Sequence, residues 1–259
     1  MNLDIAGKVA IVGGASQGIG YGIARMLAAE GAVVAMSARR ETDLLASAAR
    51  IREETGATLL PIQADCRRAE DCSRVAETVQ REFGGADMLV NNDGAPPLGP
   101  ILGFDDTAWA KAVEQNLMYV VRMTREVVPM MKARGGGGIV NITAISAIQP
   151  IPGFALSVAT WSGVIGYSKT LSLEVAADGI NVNTICPGYI DTTRLQKVFA
   201  AGSEPADVVK ARLVEEIPMK RVGTVDDIAS IVALLVSPRG RYITGSALQV
   251  DGGLLRAVR

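Results

Sequence analysis

The chain has 259 residues, 49% of them hydrophobic and 20% charged, with a formal net charge of −1 and no histidine. So high an apolar fraction excludes an intrinsically disordered chain, and so low a net charge gives no basic surface for nucleic acid or an anionic membrane. The absence of histidine removes the commonest general base, the commonest zinc ligand and the usual hydrolase triad.

Short β-branched segments alternate along the chain with longer segments of helical periodicity. The predicted strands are residues 8–13, 32–37, 58–63, 87–92, 138–143, 180–186 and 246–250. The predicted helices between them are residues 18–30, 42–55, 69–83, 106–133, 155–178 and 225–237. Strands that are apolar on both faces and separated by helices indicate a parallel sheet covered on each side. Because no repeat or linker divides the sequence, we expect a single α/β domain over residues 1–259, a doubly wound, Rossmann-like parallel sheet of about seven strands flanked by helices.

A glycine cluster lies between the first predicted strand and the first predicted helix, in VAIVGGASQGIGYGIA. Gly14, Gly18 and Gly20 permit a tight turn and let backbone N–H groups approach a pyrophosphate at the helix start, where the helix dipole favours negative charge. The same glycines suit a plain turn. Their position after a strand and before a helix favours a dinucleotide site.

The end of the second predicted strand, in MSARR, bears on which dinucleotide is bound. An acidic residue there would bind the adenosine 2′-hydroxyl of NAD. Ala38 stands in that place, and Arg39 and Arg40 follow it. Two guanidinium groups suit a 2′-phosphate, although a solvated basic pair at a helix start is the alternative. We predict that NADP(H) is preferred over NAD(H).

Tyr167 and Lys169 are the two residues of the predicted helix 155–178 that suggest an acid–base pair. Two residues along a helix rotate a side chain by about 200°, so the phenol and the ammonium leave opposite faces of the helix. We predict that they do not share a substrate.

Five motifs occur in the order in which one known family carries them. They are GGASQGIG at 13–20, AD at 64–65, NNDG at 91–94, PGYIDT at 187–192 and YITGSALQVDGG at 242–253. On these motifs the chain resembles the short-chain dehydrogenase/reductase family over residues 5–253. Two positions depart from the family pattern, since Gly13 stands where threonine is usual and Asp93 where alanine is usual.

The resemblance implies a set of cofactor-binding residues along these motifs. Asp65 would contact the adenine, and Ile190 and Thr192 would meet the nicotinamide carboxamide. The full set is Gly14, Ser16, Gln17, Gly18, Ile19, Gly20, Arg39, Arg40, Asp65, Cys66, Asn92, Gly94, Pro187, Gly188, Ile190 and Thr192. Residues 194–219 would form the substrate lid, whose mixed sequence indicates only a small or medium organic molecule.

The resemblance further implies hydride transfer between a carbonyl/alcohol pair and the nicotinamide. The family uses a serine, a tyrosine, a lysine four residues after the tyrosine, and an asparagine. Alignment outward from GINVNTICPG, residues 179–188, puts the tyrosine and lysine positions on Ser157 and Trp161. The serine position falls on Ala144, and only Asn116 keeps its identity. No tyrosine of the chain is followed by a lysine four residues later, so no other alignment restores the motif.

Loss of a positioned acid–base group typically costs a factor of about 10²–10⁴ in rate, so three readings stay open. The first is an NADP(H)-dependent oxidoreductase on a small carbonyl or alcohol, with an atypical proton path through Ser157, Asp93, water or the substrate. The second is a catalytically inactive NADP(H)-binding protein with a regulatory or assembly role. The third is a non-redox lyase or isomerase that uses the cleft in which the family binds its substrate.

Three cysteines, Cys66, Cys72 and Cys186, follow no metal-ligand spacing, as in a reduced cytosolic protein, and we expect no metal. We find no signal peptide and no apolar run of the ~18 residues that a membrane span needs, which predicts a cytoplasmic protein. The predicted helices 106–133 and 155–178 carry apolar residues on more than one side, and in the family they pair across a two-fold axis. We therefore expect a homo-oligomer, a tetramer or a dimer, with a small-molecule substrate and neither nucleic acid nor membrane as partner.

Overall fold

The computed structural model describes residues 2–92, 94, 96–200 and 204–257. At its centre lies a parallel sheet of seven strands in the order β3-β2-β1-β4-β5-β6-β7. The strands are β1 (Val9–Val12), β2 (Val33–Ala38), β3 (Leu59–Gln63), β4 (Met88–Asn91), β5 (Gly137–Ile142), β6 (Ile180–Pro187) and β7 (Ala247–Val250). The predicted fold is confirmed, and each predicted strand ends within one residue of an observed strand end.

Helices cover both faces of the sheet. They are α1 (Gly18–Ala29), α2 (Glu41–Thr55), α3 (Ala69–Phe83), α4 (Asp106–Val113), α5 (Tyr119–Ala133), α6 (Ala155–Val175), α7 (Thr193–Phe199), α8 (Ala206–Glu216) and α9 (Val225–Val236). One apolar layer, with Ile23, Leu27 and Val232, lies under α1 and α9, and the other, with Met123 and Val127, lies under α3 and α5. In the part of the chain that the structure describes, no helix is long and apolar enough to cross a membrane.

The predicted continuous helix over residues 106–133 is wrong in one respect. It is divided by a π-helical turn, Glu114–Met118, which separates α4 from α5. A π-turn inserts an extra residue into the helix and turns the side chains beyond it to a new direction. Asn116 lies in this turn and is buried. The interruption therefore determines where the retained asparagine points.

The strand order indicates at which end of the sheet a ligand is expected to bind. β1 pairs with β2 on one side and with β4 on the other, all parallel, so the chain reverses its direction of winding between β1 and β4. In open α/β sheets ligands bind at the carboxyl ends of the strands beside this reversal. The site of this chain is therefore expected above the ends of β1 and β4.

The opposite end of the same strands is held by a buried carboxylate. Asp87 accepts hydrogen bonds from the Val9 amide at 2.8 Å and from Arg134 Nε at 3.0 Å, and Lys8 Nζ lies 3.5 Å away. Burial alone would raise the pKa of Asp87, but the Arg134 and Val9 hydrogen bonds and the Lys8 charge outweigh it and lower that pKa. Asp87 thus ties β1, β4 and the segment after α5 together away from the cleft.

Candidate active site

A cleft of about 800 Å³ opens at the carboxyl ends of the strands, beside the reversal between β1 and β4. Most of the predicted cofactor residues line it. They are Gly14, Ser16, Gln17, Gly18, Ile19, Arg39, Arg40, Cys66, Asn92, Gly94, Pro187, Gly188, Ile190 and Thr192. Gly20 lies inside the first turn of α1, and Asp65 lies between two lining residues, Ala64 and Cys66. The residues that the motifs assign to one cofactor therefore come together around one cleft.

The loop after β1 and the loop after β4 are pressed against each other. Gly14 has a φ of +58°, and a Cβ at this position would lie 2.2 Å from the Asn92 carbonyl oxygen, so only glycine fits. Asn92 Nδ2 in turn donates to the Gly13 carbonyl oxygen at 3.2 Å. Gln17, the N-cap of α1, makes no side-chain capping bond, and the first turn holds no acidic residue. The backbone N–H groups at this helix start are thus left for an anion, as a pyrophosphate site requires.

The adenosine end of the cleft carries the two predicted arginines. Arg40 pairs with Asp43 on the next turn, whereas Arg39 is exposed at the rim and adjoins Ala38. Arg39 is therefore the better placed of the two for a 2′-phosphate. The Asp65 carboxylate accepts from Arg67 Nε at 2.7 Å, and this hydrogen bond lowers its pKa. Asp65 is thereby kept ionised, and its contact with adenine stays a prediction.

The charge of the whole cleft is one-sided. Among the described residues that line it there are four basic ones and no aspartate or glutamate. The basic residues are Arg39, Arg40, Arg194 and Lys197. A chain of net charge −1 therefore concentrates cations along this cleft, which favours an anionic ligand. The donor set, the glycine cradle and the uncapped helix start all fit such a ligand.

The other half of the cleft holds buried hydroxyl groups. Ser146 and Ser157 are 2% and 1% exposed, and neither hydroxyl has a hydrogen-bond partner among the described residues. Both residues line the cleft, Ser157 from the first turn of α6. A buried polar group without a partner costs free energy unless a ligand satisfies it. The two hydroxyls thus mark a place for a hydrogen-bonding ligand.

The four positions that the sequence alignment predicts for the usual catalytic set lie in or behind this half of the cleft. Ala144 and Trp161 line the cleft together with Ser157. Asn116 is buried behind them, and its Nδ2 donates to Thr160 Oγ1 at 2.7 Å. A methyl group, an indole and a serine hydroxyl supply no acid with a pKa near neutrality. Asp93, which sequence reasoning weighed as a base, lies outside the described residues.

Tyr167 and Lys169 lie away from the cleft and from each other. Tyr167 borders a second, smaller cavity between α5 and α6, and burial raises the pKa of its phenol. Lys169 lies on the opposite side of α6, next to Gly245. A Cβ added at Gly245 would lie only 2.8 Å from the Lys169 Nζ. The prediction that the two side chains leave opposite faces of the helix is confirmed.

Tyr119 is a residue of the cleft that sequence reasoning missed. Its side chain is 2% exposed, and a Cβ added at Gly13 would lie 2.0 Å from its Oη and 3.4 Å from the Asn92 amide nitrogen. The phenol oxygen therefore fills the space in which a side chain at position 13 would stand. The signal in the sequence was Gly13 itself, which replaces the family's usual threonine.

Arg194 and Lys197 were also missed, because the predicted lid, residues 194–219, carries charges of both signs. The described residues of this segment form most of α7 and all of α8, and among them only residues of α7 line the cleft. Cys186 is buried in the core, and its Sγ lies 3.3 Å from Thr143 Oγ1. Groups of three or more metal-ligating side chains are absent from the described ranges.

A family model and several known proteins match nearly the whole chain. A family model described as enoyl-(acyl carrier protein) reductase matches residues 14–255. A 3-oxoacyl-[acyl-carrier-protein] reductase of Staphylococcus epidermidis is 35% identical over 247 residues, which covers 95% of this chain and 98% of the relative. Human dehydrogenase/reductase SDR family member 4 is 34% identical over 250 residues, covering 96% of this chain and 88% of the relative.

Solved structures agree with these relatives. L-sorbose reductase from Gluconobacter frateurii, in complex with NADPH and L-sorbose, superposes with a TM-score of 0.95 at 36% identity and full coverage of both chains. A single-residue variant of actinorhodin polyketide ketoreductase with NADPH superposes with a TM-score of 0.93 at 34% identity, over 97% of this chain and 98% of that one.

Proposed function

The chain belongs to the short-chain dehydrogenase/reductase family, and we propose that it is an NADP(H)-dependent oxidoreductase acting on a small carbonyl compound or its alcohol. One observation carries this proposal. A single cleft joins a cationic half without carboxylates to a half with two buried hydroxyls that lack partners among the described residues. The first half suits a phosphorylated dinucleotide and the second suits a carbonyl oxygen.

The nucleotide would be held by the residues that already form its cradle. The uncapped start of α1 and Gly14 would bind the pyrophosphate, and Arg39 would bind the 2′-phosphate. Ile190 and Thr192 border the end of the cleft nearer α7 and would meet the carboxamide. When bound, the nicotinamide supplies a hydride to a carbonyl carbon or accepts one from an alcohol.

Ser157 would act on the carbonyl oxygen. Its hydroxyl would donate a hydrogen bond to that oxygen, and Ser146 would provide a second donor. As the oxygen becomes an alkoxide it takes the Ser157 proton, and solvent water returns a proton to the serine. No group along this path has a pKa near 7, so the step relies on the basicity of the alkoxide itself.

This proton path would favour reactive carbonyls. A tyrosine activated by a neighbouring lysine is a far stronger acid than a serine hydroxyl, and Trp161 brings no charge to the site. We therefore expect turnover that is slower by about 10²–10⁴ than with a complete acid–base set. Carbonyls activated by a neighbouring electron-withdrawing group should be the best substrates.

The test is a nucleotide titration followed by a panel of carbonyl compounds and alcohols. NADPH should bind, and oxidation of NADPH, followed by its absorbance, should depend on an activated ketone. Ser157→Ala should reduce that rate at least tenfold, whereas the matched control Ser230→Ala, on the exposed side of α9, should not. Tight NADPH binding with no turnover across the panel would favour a nucleotide-binding protein without redox activity.

We propose in addition that the protein is a symmetric homo-oligomer, a dimer or a tetramer, through α5 and α6. In the family these two helices pair across a two-fold axis, and Leu173 on α6, which is 74% exposed, would be covered in such a pair. Light scattering at micromolar concentration should give a mass of two or four chains, and a monomer would contradict the proposal.

A further inference from the structure

The face of α7 that borders the cleft is cationic. Thr192 caps this helix by accepting from the Leu195 amide at 3.3 Å, and Leu195 and Phe199 are buried beneath it. Arg194, Lys197 and Val198 all line the cleft. Their spacing of three and four residues puts them on one side of the helix. Burial of Leu195 and Phe199 therefore fixes α7 in an orientation that holds two positive charges at the cleft wall.

Arg194 belongs to the hydroxyl half of the cleft rather than to the adenosine half. Its Nη2 donates to the Pro96 carbonyl oxygen at 3.1 Å. The same loop continues to Gly99, whose amide donates to the Gly153 carbonyl oxygen at 3.0 Å, directly before α6. Ser157 follows in the first turn of α6. A short run of backbone contacts thus joins the guanidinium to the helix that carries the cleft hydroxyl.

The charge of Arg194 is not balanced by any acidic group in the described lining of the cleft. Loss of solvent around the guanidinium lowers its pKa, and the Pro96 carbonyl that accepts its hydrogen bond is neutral. The Arg194 side chain is exposed and lines the cleft, so an anion that enters the cleft can reach it, and the guanidinium would gain an opposite charge that no described lining residue supplies. A guanidinium carries five N–H donors, so the bond to Pro96 leaves enough of them for a carboxylate.

We propose that the substrate is a carbonyl compound that bears a carboxylate, and that Arg194 binds this carboxylate while Ser157 binds the carbonyl oxygen. This inference rests on the proposed function and names its substrate class. The planar guanidinium matches a carboxylate geometrically, and Lys197 adds a second positive charge three residues away on the same face. Arg194 is thereby a specificity-determining residue.

The test measures binding without turnover. Trp161 lines the cleft, and the chain has one other tryptophan, Trp109, so a Trp109→Phe background makes Trp161 the reporter of ligand binding. Oxo acids and their methyl esters are titrated in the presence of NADP⁺: acetoacetate, levulinate and benzoylformate, each beside its ester. Each acid should bind at least tenfold more tightly than its ester in at least one pair.

Substitution of Arg194 should remove this preference selectively. Arg194→Met should weaken binding of the preferred acid at least tenfold, and Arg194→Lys should weaken it less. Both variants should bind the ester and NADPH with affinities within twofold of the wild type. Arg241→Met, which removes one exposed positive charge elsewhere, is the matched control and should change nothing. Circular dichroism confirms that each variant is folded.

Three results would overturn the inference. They are the absence of any acid preference in all pairs, equal acid binding by the wild type and Arg194→Met, and an equal loss of NADPH affinity in Arg194→Met, which would assign the arginine to the nucleotide. Failure of the proposed function looks different. In that case the acids still bind with the predicted preference, but NADPH is not oxidised by any of them.

Discussion

The contact between Gly13 and Tyr119 provides a quantitative test of how this cleft is assembled. Gly13→Ala would place a Cβ 2.0 Å from the Tyr119 Oη, whereas ordinary contacts begin at 3.4 Å. Tyr119 is 2% exposed, so its ring is enclosed by the surrounding side chains. Overpacking of this kind costs about 1–3 kcal/mol, and we expect the upper end because the clash is with a rigid ring. The wild-type φ of Gly13 is not positive, so backbone strain adds nothing.

Removal of the phenol oxygen should relieve most of that cost. In a Tyr119→Phe background the nearest atom to the new Cβ is the ring Cζ at 3.2 Å, which requires a shift of only a few tenths of an ångström. Gly13→Ala should then cost less than about 1 kcal/mol. The double-mutant cycle therefore predicts a coupling free energy of about 1–2 kcal/mol between positions 13 and 119.

Urea unfolding followed by circular dichroism measures the free energy of unfolding for each corner of the cycle, with unchanged m values as the condition for comparison. Gly103→Ala is the control, because an added Cβ at Gly103 meets nothing within 4 Å, its φ is not positive and the residue lies outside α5 and α6. That change should stabilise the chain by up to about 1 kcal/mol and be additive with Tyr119→Phe. Additivity of Gly13→Ala with Tyr119→Phe, within about 0.5 kcal/mol, would refute the predicted contact.

Three further predictions concern the cofactor, acid stability and catalysis. In calorimetry, Arg39→Ala should weaken NADPH binding at least tenfold and change the affinity for NADH by no more than about twofold, because a charge-assisted bond to the 2′-phosphate contributes roughly 1.5–3 kcal/mol. Equal losses of affinity for both nucleotides would contradict the assignment. Asp87→Asn should destabilise the fold by about 1–3 kcal/mol at pH 7. Since the pKa of Asp87 is lowered in the folded state, its contribution is present above its ordinary pKa near 4 and disappears as the pH falls through the folded value, so the two stability curves should converge in acid. The triple change Ala144→Ser, Ser157→Tyr and Trp161→Lys should raise NADPH-dependent reduction of activated ketones by ~10² or more beside the retained Asn116; normal NADPH binding without a gain in rate would mean that the cleft does not accept the usual relay.

Much of the fold follows from the sequence because its signals are local. Strands such as β5 and β6 are short β-branched runs bounded by glycine, and their ends are found within one residue. The π-turn at Glu114–Met118 could not be predicted, because the apolar periodicity continues through residues 106–133 without a glycine or proline at the break. The contact that this turn makes, between Asn116 and Thr160 of α6, joins residues 44 positions apart in the sequence.

The site divides in the same way. The glycine loop and Arg39 are each recognised from a motif of a few consecutive residues. Tyr119 and Arg194 are not, because the role of each depends on a contact with a residue far away in the sequence, Gly13 for Tyr119 and Pro96 for Arg194. The exposure and the contacts of these side chains depend on the tertiary fold, and no sequence spacing predicts them.

The most direct test of redox turnover follows the hydrogen itself. The protein is incubated with an activated oxo acid and NADPH deuterated at the transferring carbon, and the product alcohol is analysed by mass spectrometry. We expect deuterium on the carbinol carbon with the wild type, and at least tenfold less labelled alcohol with Ser157→Ala under the same conditions. Alcohol without label, or no alcohol at all from a protein that binds both NADPH and the acid, would show that this cleft is not a carbonyl reductase site.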